Sequence, residues 1–549
     1  MTPRPLRGRL MAALVLLAGL LPGVSPARTV DANSLTGKVL VGYQTWFRCP
    51  GDGSESNSFD HWTNDRLAPT ASNVVVDNYP DTADYPQDEL CPTPALTVGG
   101  KPGAVFSSFR PGTAMTHFKW MHDYDIDGAL IARFICCVEQ SRRDNDTPER
   151  NIMAAAEANG RVFAIDYDLT GNYDPYTDEQ ALAIIEGDWL HLVNDLKITQ
   201  SPAYLKQDGR PLVGLWGLGF NDSGHLRRPA LAQKIIDWFH NTQHAVILGG
   251  VGWNWTDPVA KGQPDWTSVY ASMDIIHPWT VGAYSSLGDV DGWKNYRLVP
   301  DMARVAQNGH GQKYMPLIMP GGSNYNQQVN SDHSATPHGN GLPRLGGQFL
   351  WHQAANARAV GADMVEIAMF NEVNEGTAMF KVAAHHSDAP AQAFWLTLDA
   401  DGLDLPSDWY LKLAYEIGRM YRGETPAGAM PTMPGPPSCG VMRADDTLAV
   451  EGTLLSCNGK FGLHLQSDGN LVLYSLTGPT WASQTVGAHA ARLVLGADGN
   501  LVLVDAANAV LWSTHTAGTA PAQLAVGDDG NVTLVRAGVV LWQTGTTGR

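Results

Sequence analysis

Residues 362–380 read ADMVEIAMFNEVNEGTAMF, and this stretch changes character halfway along. The apolar run Met364–Phe370 is short enough for a buried strand and too short for an independent helix. Glu372 and Glu375 follow three residues apart, with Asn371 beside them. Ionised carboxylates are costly to bury unless they are paired or neutralised. The stretch therefore predicts a buried strand that opens into a functional cleft.

Two carboxyl groups beyond one strand suit the cleavage of a glycosidic bond. One carboxyl must be protonated to donate to the leaving oxygen, and the other must be ionised to act as base or nucleophile. A second interpretation is a helix N-terminus, where acidic side chains are favoured by the helix dipole and cap free N–H groups. Both interpretations stay open on this stretch alone.

The first 27 residues have the pattern of a secretory signal. A basic segment with three arginines precedes the apolar run Leu10–Leu21, and Ser25–Ala27 supplies small residues for cleavage near Ala27. The apolar run is too short for a confident membrane span, and no later run of sufficient length follows. The sequence therefore predicts an exported, soluble protein with no membrane partner.

Charge and aromatic content narrow the class of partner. The 549 residues carry a net charge of −18, with a pI near 5.3, which argues against nucleic acid because its phosphates would be repelled. The 17 Trp and 17 Tyr residues provide rings that stack on the apolar faces of sugars, although many of them belong in the core. A polysaccharide or glycan is the expected partner.

The six cysteines are compatible with disulfides in an exported chain. Cys439 and Cys457 would close a small loop, and Cys49 and Cys91 are the second predicted pair. The adjacent cysteines 136 and 137 lie in apolar sequence that predicts burial, and their pairing stays open. The His and Cys spacings do not match a zinc site, so neither a metal nor a cofactor is predicted.

Between residues 28 and 423, short apolar runs alternate with amphipathic segments. This alternation predicts a (β/α)8 barrel with insertions, an α/β fold. A ninth apolar run at 73–76 leaves the strand count open. The eight main strand predictions are 38–46, 128–134, 162–167, 211–217, 245–251, 274–277, 313–319 and 363–370, and the helix predictions are 178–196, 229–241, 348–360 and 409–422.

Active sites of such barrels lie at the carboxyl ends of the strands, and aromatic, acidic and amide residues recur there in this sequence. Rings at these ends could simply plug the barrel mouth, but rings together with carboxylates and an arginine are better explained as a sugar-binding cleft. The Pro- and Asp-rich insertion 77–91 is predicted to be a rim loop, with Asp81 as a weaker binding residue. The predicted substrate-binding residues are Tyr43, Gln44, Trp46, Asp77, Arg133, Asp166, Tyr167, Trp216, Trp253, Trp279 and Asn371.

Three motifs resemble glycoside hydrolase family 99 and its relatives: GYQTWF at 42–47, HFKWMHDYDIDG at 117–128 and FNEVNEGTAMF at 370–380. The resemblance covers roughly residues 36–423 and is closer to a bacterial branch of the family 99/71-like group than to the characterised mannosidases. It implies a (β/α)8 enzyme related to endo-acting α-mannosidases and α-mannanases.

The family motif has the form N-E-W-x-E-G-T, and this chain departs from it at Val373, which replaces the Trp. The resemblance implies that Glu372 takes the proton from the substrate 2-OH, so that this oxygen displaces the leaving group through a 1,2-anhydro sugar. It implies that Glu375 is the general acid and then the base for water. In the family, this motif ends in an acidic residue and a proline, whereas here residues 378–380 are Ala, Met and Phe. This departure puts the identity of the substrate in question more than the type of reaction.

A Pro-rich stretch at 424–438, with five prolines in fifteen residues, predicts a semi-stiff linker. Beyond it, residues 439–549 contain three repeats of about 30 residues, and each repeat has an Asp-Gly-Asn turn and one tryptophan. Alternating apolar positions around these turns predict β-hairpins. Three such units around a pseudo-threefold axis make a small, all-β β-prism.

The repeats resemble the bulb-type, monocot mannose-binding lectins, whose sugar site has the form Q-x-D-x-N-x-V-x-Y. Only the first repeat matches fully, whereas the second and third lack the Gln and the Tyr, and their Asp-Gly-Asn is predicted to serve as turn chemistry. A carboxylate, two amides and a phenol can bond the hydroxyls of mannose. The predicted lectin site is Gln466, Asp468, Asn470, Val472 and Tyr474.

The hypothesis from sequence is a secreted, retaining endo-glycosidase that hydrolyses an α-linked, mannose-containing glycan, with Glu372 and Glu375 catalytic. The lectin module would hold the enzyme on its polymer. Two alternatives stay open: the same machinery acting on an α-glucan, and a non-catalytic glycan-binding protein whose barrel carboxylates only hold sugar. The two glutamates argue against the non-catalytic alternative, which an amide at either position would favour.

Overall fold

The computed structural model describes residues 28–548 except 139, 172–174, 221, 223, 335–336, 338, 402, 404, 429–439, 443–445, 451, 457–459, 519–521 and 537–538. The predicted signal, most of the predicted linker and the predicted disulfide between Cys439 and Cys457 lie outside the described residues. No helix within the described residues is long and apolar enough to cross a membrane.

Eight parallel strands form the first domain, as the alternating sequence pattern predicts. Their central residues are almost entirely apolar and buried, as expected for a parallel sheet that is covered on both faces. The strands are β1 (Val39–Tyr43), β2 (Gly128–Phe134), β3 (Val162–Asp168), β4 (Arg210–Leu218), β5 (Val246–Gly252), β6 (Ile275–Trp279), β7 (Lys313–Tyr314 and Leu317–Ile318) and β8 (Val365–Ile367).

The sheet closes through β7, which Pro316 interrupts. The first half of β7 pairs with β6, the second half pairs with β8, and β8 pairs with β1. Backbone hydrogen bonds from Met315 N to Ile276 O (2.9 Å) and from Glu366 N to Pro316 O (3.1 Å) continue the ladder across the break. Proline lacks the N–H that a strand ladder uses, which explains the interruption. The predicted (β/α)8 barrel is confirmed.

Helices connect and cover the strands. The four predicted helices are present, with the first one ending in a π-helical turn. The described helices of this domain are Pro111–Asp123, Arg142–Asn159, Asp178–His191, Pro229–Asn241, Thr267–Ser272, Leu287–Trp293, Val299–Gln307, Tyr325–Asn330, Gln348–Ala359 and Trp409–Tyr421, with π-helical turns at Leu192–Leu196 and Lys294–Leu298 and short 3₁₀ turns at Gln87–Glu89, Ile135–Cys137, Ile198–Gln200, Leu345–Gly347, His386–Asp388 and Leu398–Asp401.

The long insertion after β1 differs in part from its prediction. The run 73–76 is not a strand, because only Val74 makes an isolated bridge, to Thr63. Beyond the rim loop, Cys91–Val98 and Lys101–Val105 form an antiparallel hairpin that was not predicted, and Lys206–Gln207 adds a short strand antiparallel to β4.

The cysteines of the barrel divide into a bonded pair and a free pair. Cys49 and Cys91 form the predicted disulfide, which links the segment after β1 to the start of the hairpin. Cys136 and Cys137 are free and exposed, so the prediction that they are buried was wrong. They lie in a short 3₁₀ turn just past the end of β2, where the chain leaves the barrel wall.

The C-terminal strands form three antiparallel sheets of four strands with their own hydrophobic core. Trp481, Trp512 and Trp542 meet edge-to-face with ring centroids 5.6–5.8 Å apart, one from each sheet. This arrangement confirms the β-prism. The sheets are Thr453–Leu455, Gly462–Leu465, Leu471–Ser475 and Gly478–Ala482; Thr447–Ala449, Arg492–Leu495, Leu501–Val504 and Val510–Ser513; and Val441–Met442, Gln523–Val526, Val532–Arg536 and Val539–Gln543.

Candidate active site

The cleft at the carboxyl ends of the strands is set by the alternation of side chains along each strand. Successive side chains point to opposite faces, so only every second residue reaches the barrel interior. On β2, Ala132 and Phe134 point inward and Arg133 points outward; on β3, Asp166 and Asp168 point inward. A cavity of about 150 Å³ results, and its lining comprises Gly42, Gln44, Trp46, Leu130, Ala132, Phe134, Asp166, Asp168, Trp216, Trp279, Glu366, Met369, Glu372 and Glu375.

Glu372 is the buried member of the carboxyl pair and is 4% exposed. Burial raises its pKa well above the ordinary value, and the charges of Glu375 and Asp168 raise it further. Hydrogen bonds from the side-chain amides of Gln44 and Asn374 oppose this shift because they favour the ionised form. The carboxyl group thus has two donors ready to hold it when it ionises.

Glu375 is the exposed member of the pair. The residue also lines the cavity, and desolvation by the surrounding protein raises the pKa of its carboxyl group. The backbone of the same residue is held firmly, because Glu375 O accepts a hydrogen bond of 2.8 Å from Ser323 N. The two glutamates therefore face one cavity in unequal environments.

The floor of the cleft holds an ionic group that sequence reasoning missed. Nε2 of His277 on β6 lies 2.5 Å from the carboxylate of Glu366 on β8, and Nδ1 of His277 donates to Met315 O at 2.8 Å. The negative charge of Glu366 raises the pKa of His277 against the effect of burial, and burial followed by the Glu366 charge raises that of Asp166. The sequence did contain a signal for this group, because β8 reads Val-Glu-Ile and Glu366 stands between two apolar residues of a buried strand.

Three of the predicted tryptophans form the cleft wall. Trp46 is stacked between His61, at 4.3 Å between centroids, and Phe134, at 5.1 Å. These two rings hold Trp46 in the wall of the cavity that it lines. Trp216 and Trp279 meet edge-to-face at 5.2 Å. The indole N–H groups of Trp46 and Trp216 have no hydrogen-bond partner among the described residues.

Arg133 and Tyr167 do not reach the cleft, so their assignment to substrate binding was wrong. Arg133 is 1% exposed and makes ion pairs with Asp188 (2.6 Å), Glu149 (2.7 Å) and Asp146 (3.1 Å). The hydroxyl group of Tyr167 donates to Asp188 at 2.8 Å. Both residues occupy outward positions of their strands and join the barrel to the surrounding helices.

Tyr43 and Asp77 are also structural rather than cleft-lining. The Tyr43 hydroxyl lies 2.7 Å from Nδ1 of His117 on the first helix, and it is buried. Asp77 accepts hydrogen bonds from Ser323 Oγ (2.5 Å) and from the backbone N–H groups of Tyr325 and Asn326 (2.6 and 2.9 Å), and burial raises its pKa to about 6. It ties the rim loop to a short helix beside the cleft.

Asn371 positions the ends of two strands, although it too was predicted to bind substrate. Its side chain accepts from Gln44 N and donates to Gln44 O, both at 2.8 Å. This pair aligns β1 with β8 just below the glutamates. Arg344, which sequence reasoning missed, is buried and donates to Gly376 O (2.8 Å) and Ala378 O (2.7 Å), thereby fixing the loop after Glu375.

Trp253 lies outside the cavity. Its ring is 37% exposed and packs against Trp293 at 5.7 Å between centroids. Within the described residues, no group of three or more His, Cys, Asp and Glu side chains is arranged to hold a metal ion.

In the first repeat of the prism, the predicted lectin residues lie on one hairpin. Gln466 Nε2 donates to the Tyr474 hydroxyl at 2.8 Å, and the carboxylate of Asp468 accepts from Asn470 N at 2.9 Å. Val472 is buried beneath them. Amide, phenol and carboxylate groups therefore converge around one surface position.

The other repeats keep only the turn. Asp498 and Asp529 accept from the backbone N–H two residues on, as Asp468 does. The side-chain oxygens of Asn500 and Asn531 accept from Thr516 N and Thr546 N, as Asn470 accepts from Thr485 N. The Asp-Gly-Asn sequence therefore builds the same turn three times, and only the first repeat adds the Gln and Tyr side chains.

Fold and site together define a (β/α)8 protein with an acidic, aromatic-walled cleft, joined to a β-prism. The chain matches no protein-family profile. It is similar in structure to the GH99 endo-α-mannosidase of Bacteroides thetaiotaomicron, with a TM-score of 0.48 and 14% identity, covering 71% of this chain and 99% of that one.

The prism has its own relatives. The mannose-specific lectin of Aloe arborescens is 46% identical over 54 residues, which is 10% of this chain and 50% of that one. The snowdrop (Galanthus nivalis) agglutinin structure is 31% identical, with a TM-score of 0.17, covering 20% of this chain and 96% of that one. The chain spans about half the length of the curated relatives it matches. The resemblances to family 99 and to the bulb-type lectins are confirmed as resemblances.

Proposed function

We propose that this protein is an exported, retaining endo-glycosidase that hydrolyses an α-linked, mannose-containing glycan and uses its prism as a mannose-binding module. The observation that carries the proposal is the unequal pair Glu372 and Glu375, which face one cavity at the barrel mouth, the first buried and the second exposed. Two carboxyl groups in different environments are what acid and base roles require.

In the first step, the ionised Glu372 takes the proton from the 2-OH of the sugar. The 2-oxygen attacks C1, and Glu375 donates its proton to the glycosidic oxygen as the C1–O bond breaks. A 1,2-anhydro sugar and a shortened glycan result. Hydrogen bonds from Gln44 and Asn374 favour the ionised form of Glu372 that this step needs, against the burial and the charges of Glu375 and Asp168 that raise its pKa overall.

In the second step, Glu375, now ionised, takes a proton from water. The water oxygen attacks C1, the epoxide C1–O2 bond breaks, and Glu372 returns its proton to the 2-oxygen. Two inversions at C1 give overall retention. The exposed position of Glu375 suits this role because it must meet both the leaving oxygen and the incoming water.

Mannose is supported by the prism. Its first repeat carries the complete lectin motif in a converging arrangement, and the Aloe arborescens relative that is 46% identical over 54 residues is named as mannose-specific. An α-glucan is the alternative substrate, because a fold does not specify a substrate.

The test is digestion of a panel of α-mannans and α-glucans by the wild type, Glu372→Gln and Glu375→Gln. Products are identified by mass and by the anomeric signal in NMR before mutarotation. We expect α-configured oligosaccharides from one polymer class, and a loss of at least a hundredfold in rate for each variant. Glu186→Gln on an outer helix is the matched control and should keep the wild-type rate.

Each outcome separates the candidate functions. Cleavage of mannan but not glucan supports the mannose proposal, and the reverse supports the α-glucan alternative. β-Configured products would overturn the retaining mechanism. Binding without cleavage across the panel, unchanged in both glutamine variants, would make the protein a glycan-binding protein without catalysis.

A further inference from the structure

An exposed aromatic patch lies beside the cleft, at the carboxyl end of β5. Gly252, the last residue of β5, pairs in register with Trp279 of β6, which lines the cleft. Trp253 follows directly, so it lies one residue beyond the strand that neighbours the cleft wall. Its side chain faces away from the cavity, toward the helical segment that contains Tyr296 and Arg297.

Three side chains build this patch, which we call the outer platform: Trp253, Tyr296 and Arg297. The guanidinium carbon of Arg297 lies 4.9 Å from the ring centroid of Trp253 and 4.6 Å from that of Tyr296. Asp257 holds the same guanidinium through two hydrogen bonds of 2.6 and 3.0 Å. Arg297 is buried at 4% exposure, so a fixed cation holds both rings in place.

The two rings nevertheless face solvent. Trp253 is 37% exposed and Tyr296 is 64% exposed. The side chain of Asp257, which binds Arg297, is 44% exposed, so its oxygens can also accept hydrogen bonds from a ligand. Rigid, exposed rings beside a polar acceptor suit the apolar face and the hydroxyl groups of a pyranose, since little side-chain freedom remains to be lost on binding.

Hydrophobic packing links the outer platform to the cleft wall. Trp279 and Val281 pack in one hydrophobic cluster, Val281 and Trp293 pack in the next, and Trp293 contacts Trp253 at 5.7 Å between centroids. The platform also starts one residue beyond Gly252, which pairs with Trp279, so it lies at the same rim of the barrel as the cleft. This proximity to the cleft favours the glycan that the cleft holds as occupant over a protein partner.

We propose that Trp253 and Tyr296 bind a distal sugar residue of the same glycan that the cleft holds, which makes the site longer than the cavity. The inference rests on the proposed function for the identity of the glycan. Binding of a distal sugar would give the enzyme a preference for chains long enough to reach from Glu372 to the outer platform. Such a preference for long chains is expected of an endo-acting enzyme.

The activity test compares Trp253→Ala and Tyr296→Ala with the wild type on polymeric mannan and on the shortest oligosaccharide that is cleaved. We expect the ratio of kcat/KM for polymer to kcat/KM for oligosaccharide to fall about tenfold in each variant. Tyr296→Phe, which keeps the ring, is the matched control and should keep the wild-type ratio. An unchanged ratio in both alanine variants would overturn the inference.

A binding test separates this inference from the proposed function. The full chain with Glu375→Gln and Asp468→Ala, which removes turnover and disables the lectin site, is run in native gels that contain linear α-mannan. Adding Trp253→Ala should abolish most of the remaining retardation, whereas adding Leu190→Ala on an outer helix should not. If Trp253→Ala leaves the retardation unchanged, or if that variant changes its oligomeric state, the inference that the outer platform binds sugar is overturned, even if the wild type cleaves mannan.

Discussion

Burial and four neighbouring side chains shift the pKa of Glu372. Burial and the charges of Glu375 and Asp168 raise its pKa, while amide donors from Gln44 and Asn374 lower it. Interacting carboxyls titrate as a pair, so their apparent pKa values belong to both groups together. Each group nevertheless has a distinct requirement in the proposed reaction.

The pH profile follows from these shifts. Glu372 must be ionised, so the rate is lost as the pH falls below the pKa of the base; Glu375 must be protonated, so the rate is lost as the pH rises above the pKa of the acid. Since burial raises both pKa values above the ordinary 4.5, we expect a bell-shaped profile of kcat/KM centred above about pH 5.

Asp168→Asn supplies the control for that profile. Removing the charge of Asp168 should lower the pKa of Glu372, because that charge raises it in the wild type, and so move the limb of the profile that Glu372 controls to lower pH. Measurement of kcat/KM from pH 3 to 9 checks both expectations. A profile in which both limbs stay in place would show that Glu372 controls neither of them.

Arg133 should act on stability rather than on catalysis. It is fully enclosed by the carboxylates of Asp146, Glu149 and Asp188, and burial already raises the pKa of Glu149 to about 7. Arg133→Ala would leave these carboxyls without their cation, and we expect a loss of about 3–5 kcal/mol in the free energy of unfolding. Thermal or urea unfolding measures this loss. A stable variant with a raised KM would instead place Arg133 in substrate binding.

At the scale of elements, the segment after β1 supports the cleft through contacts with distant parts of the chain. The disulfide between Cys49 and Cys91 closes a segment with a sequence separation of 42 and anchors the unpredicted hairpin. Asp77 and Arg344 then tie this region to the loop that carries Glu375. Support of this kind comes from several segments far apart in sequence.

Loss of the disulfide should therefore weaken the barrel. Closing a loop of this length restricts the unfolded chain by about 4 kcal/mol in the chain-entropy treatment, and Cys49→Ser with Cys91→Ser should lower the free energy of unfolding by up to that amount. The matched control is Cys136→Ser with Cys137→Ser, since these thiols are free and exposed. Equal unfolding midpoints for the two double variants would contradict the expectation.

The repeats of the prism allow a matched comparison of one residue in two settings. Asp468 and Asp498 make the same turn hydrogen bond, but only Asp468 has Gln466 and Tyr474 beside it. We expect Asp468→Ala to reduce mannose binding at least tenfold and Asp498→Ala to leave it within twofold. Calorimetric titration with methyl α-mannoside measures both. Equal losses would assign the Asp to turn formation alone.

At the scale of the whole molecule, the two domains should act together on a polymer. A lectin site linked to a catalytic cleft raises the effective concentration of substrate without any new contact in the cleft. We expect Tyr474→Phe to lower the rate on dilute polymeric mannan severalfold relative to the rate on a short oligosaccharide. Initial rates over a range of mannan concentrations measure this effect, and the difference should vanish near saturation. A constant ratio at all concentrations would show that the domains act independently.

The architecture was predictable because it depends on local patterns. Eight apolar runs separated by amphipathic helices, such as 229–241, predicted the barrel, and three repeats with one tryptophan each predicted the prism. Glu372 and Glu375 were found because two acidic residues at the end of an apolar strand are exceptional. These features need only neighbours in sequence to be recognised.

The orientation of individual side chains was not predictable in the same way. Tyr43, Arg133 and Tyr167 lie at strand ends, as Gln44 and Asp166 do, but a shift of one position sends a side chain to the outer face. The local sequence does not show which residues of a strand point inward and which point outward, because both faces of a parallel barrel strand are buried and apolar. His277 was likewise missed, since its partner Glu366 is 89 residues away in sequence on another strand.

The sequence by itself determined the two folds, the disulfide between Cys49 and Cys91, the carboxyl pair and the one repeat with a complete lectin motif. Periodicity and rare residue types carry that information locally. Only the tertiary structure decided which side chains line the cleft, which of the two glutamates is buried, and that Trp253 stands outside with Arg297 and Tyr296. Burial, pKa shifts and stacking depend on atoms that the closed barrel brings together from distant parts of the chain, so these properties emerge only in the folded protein.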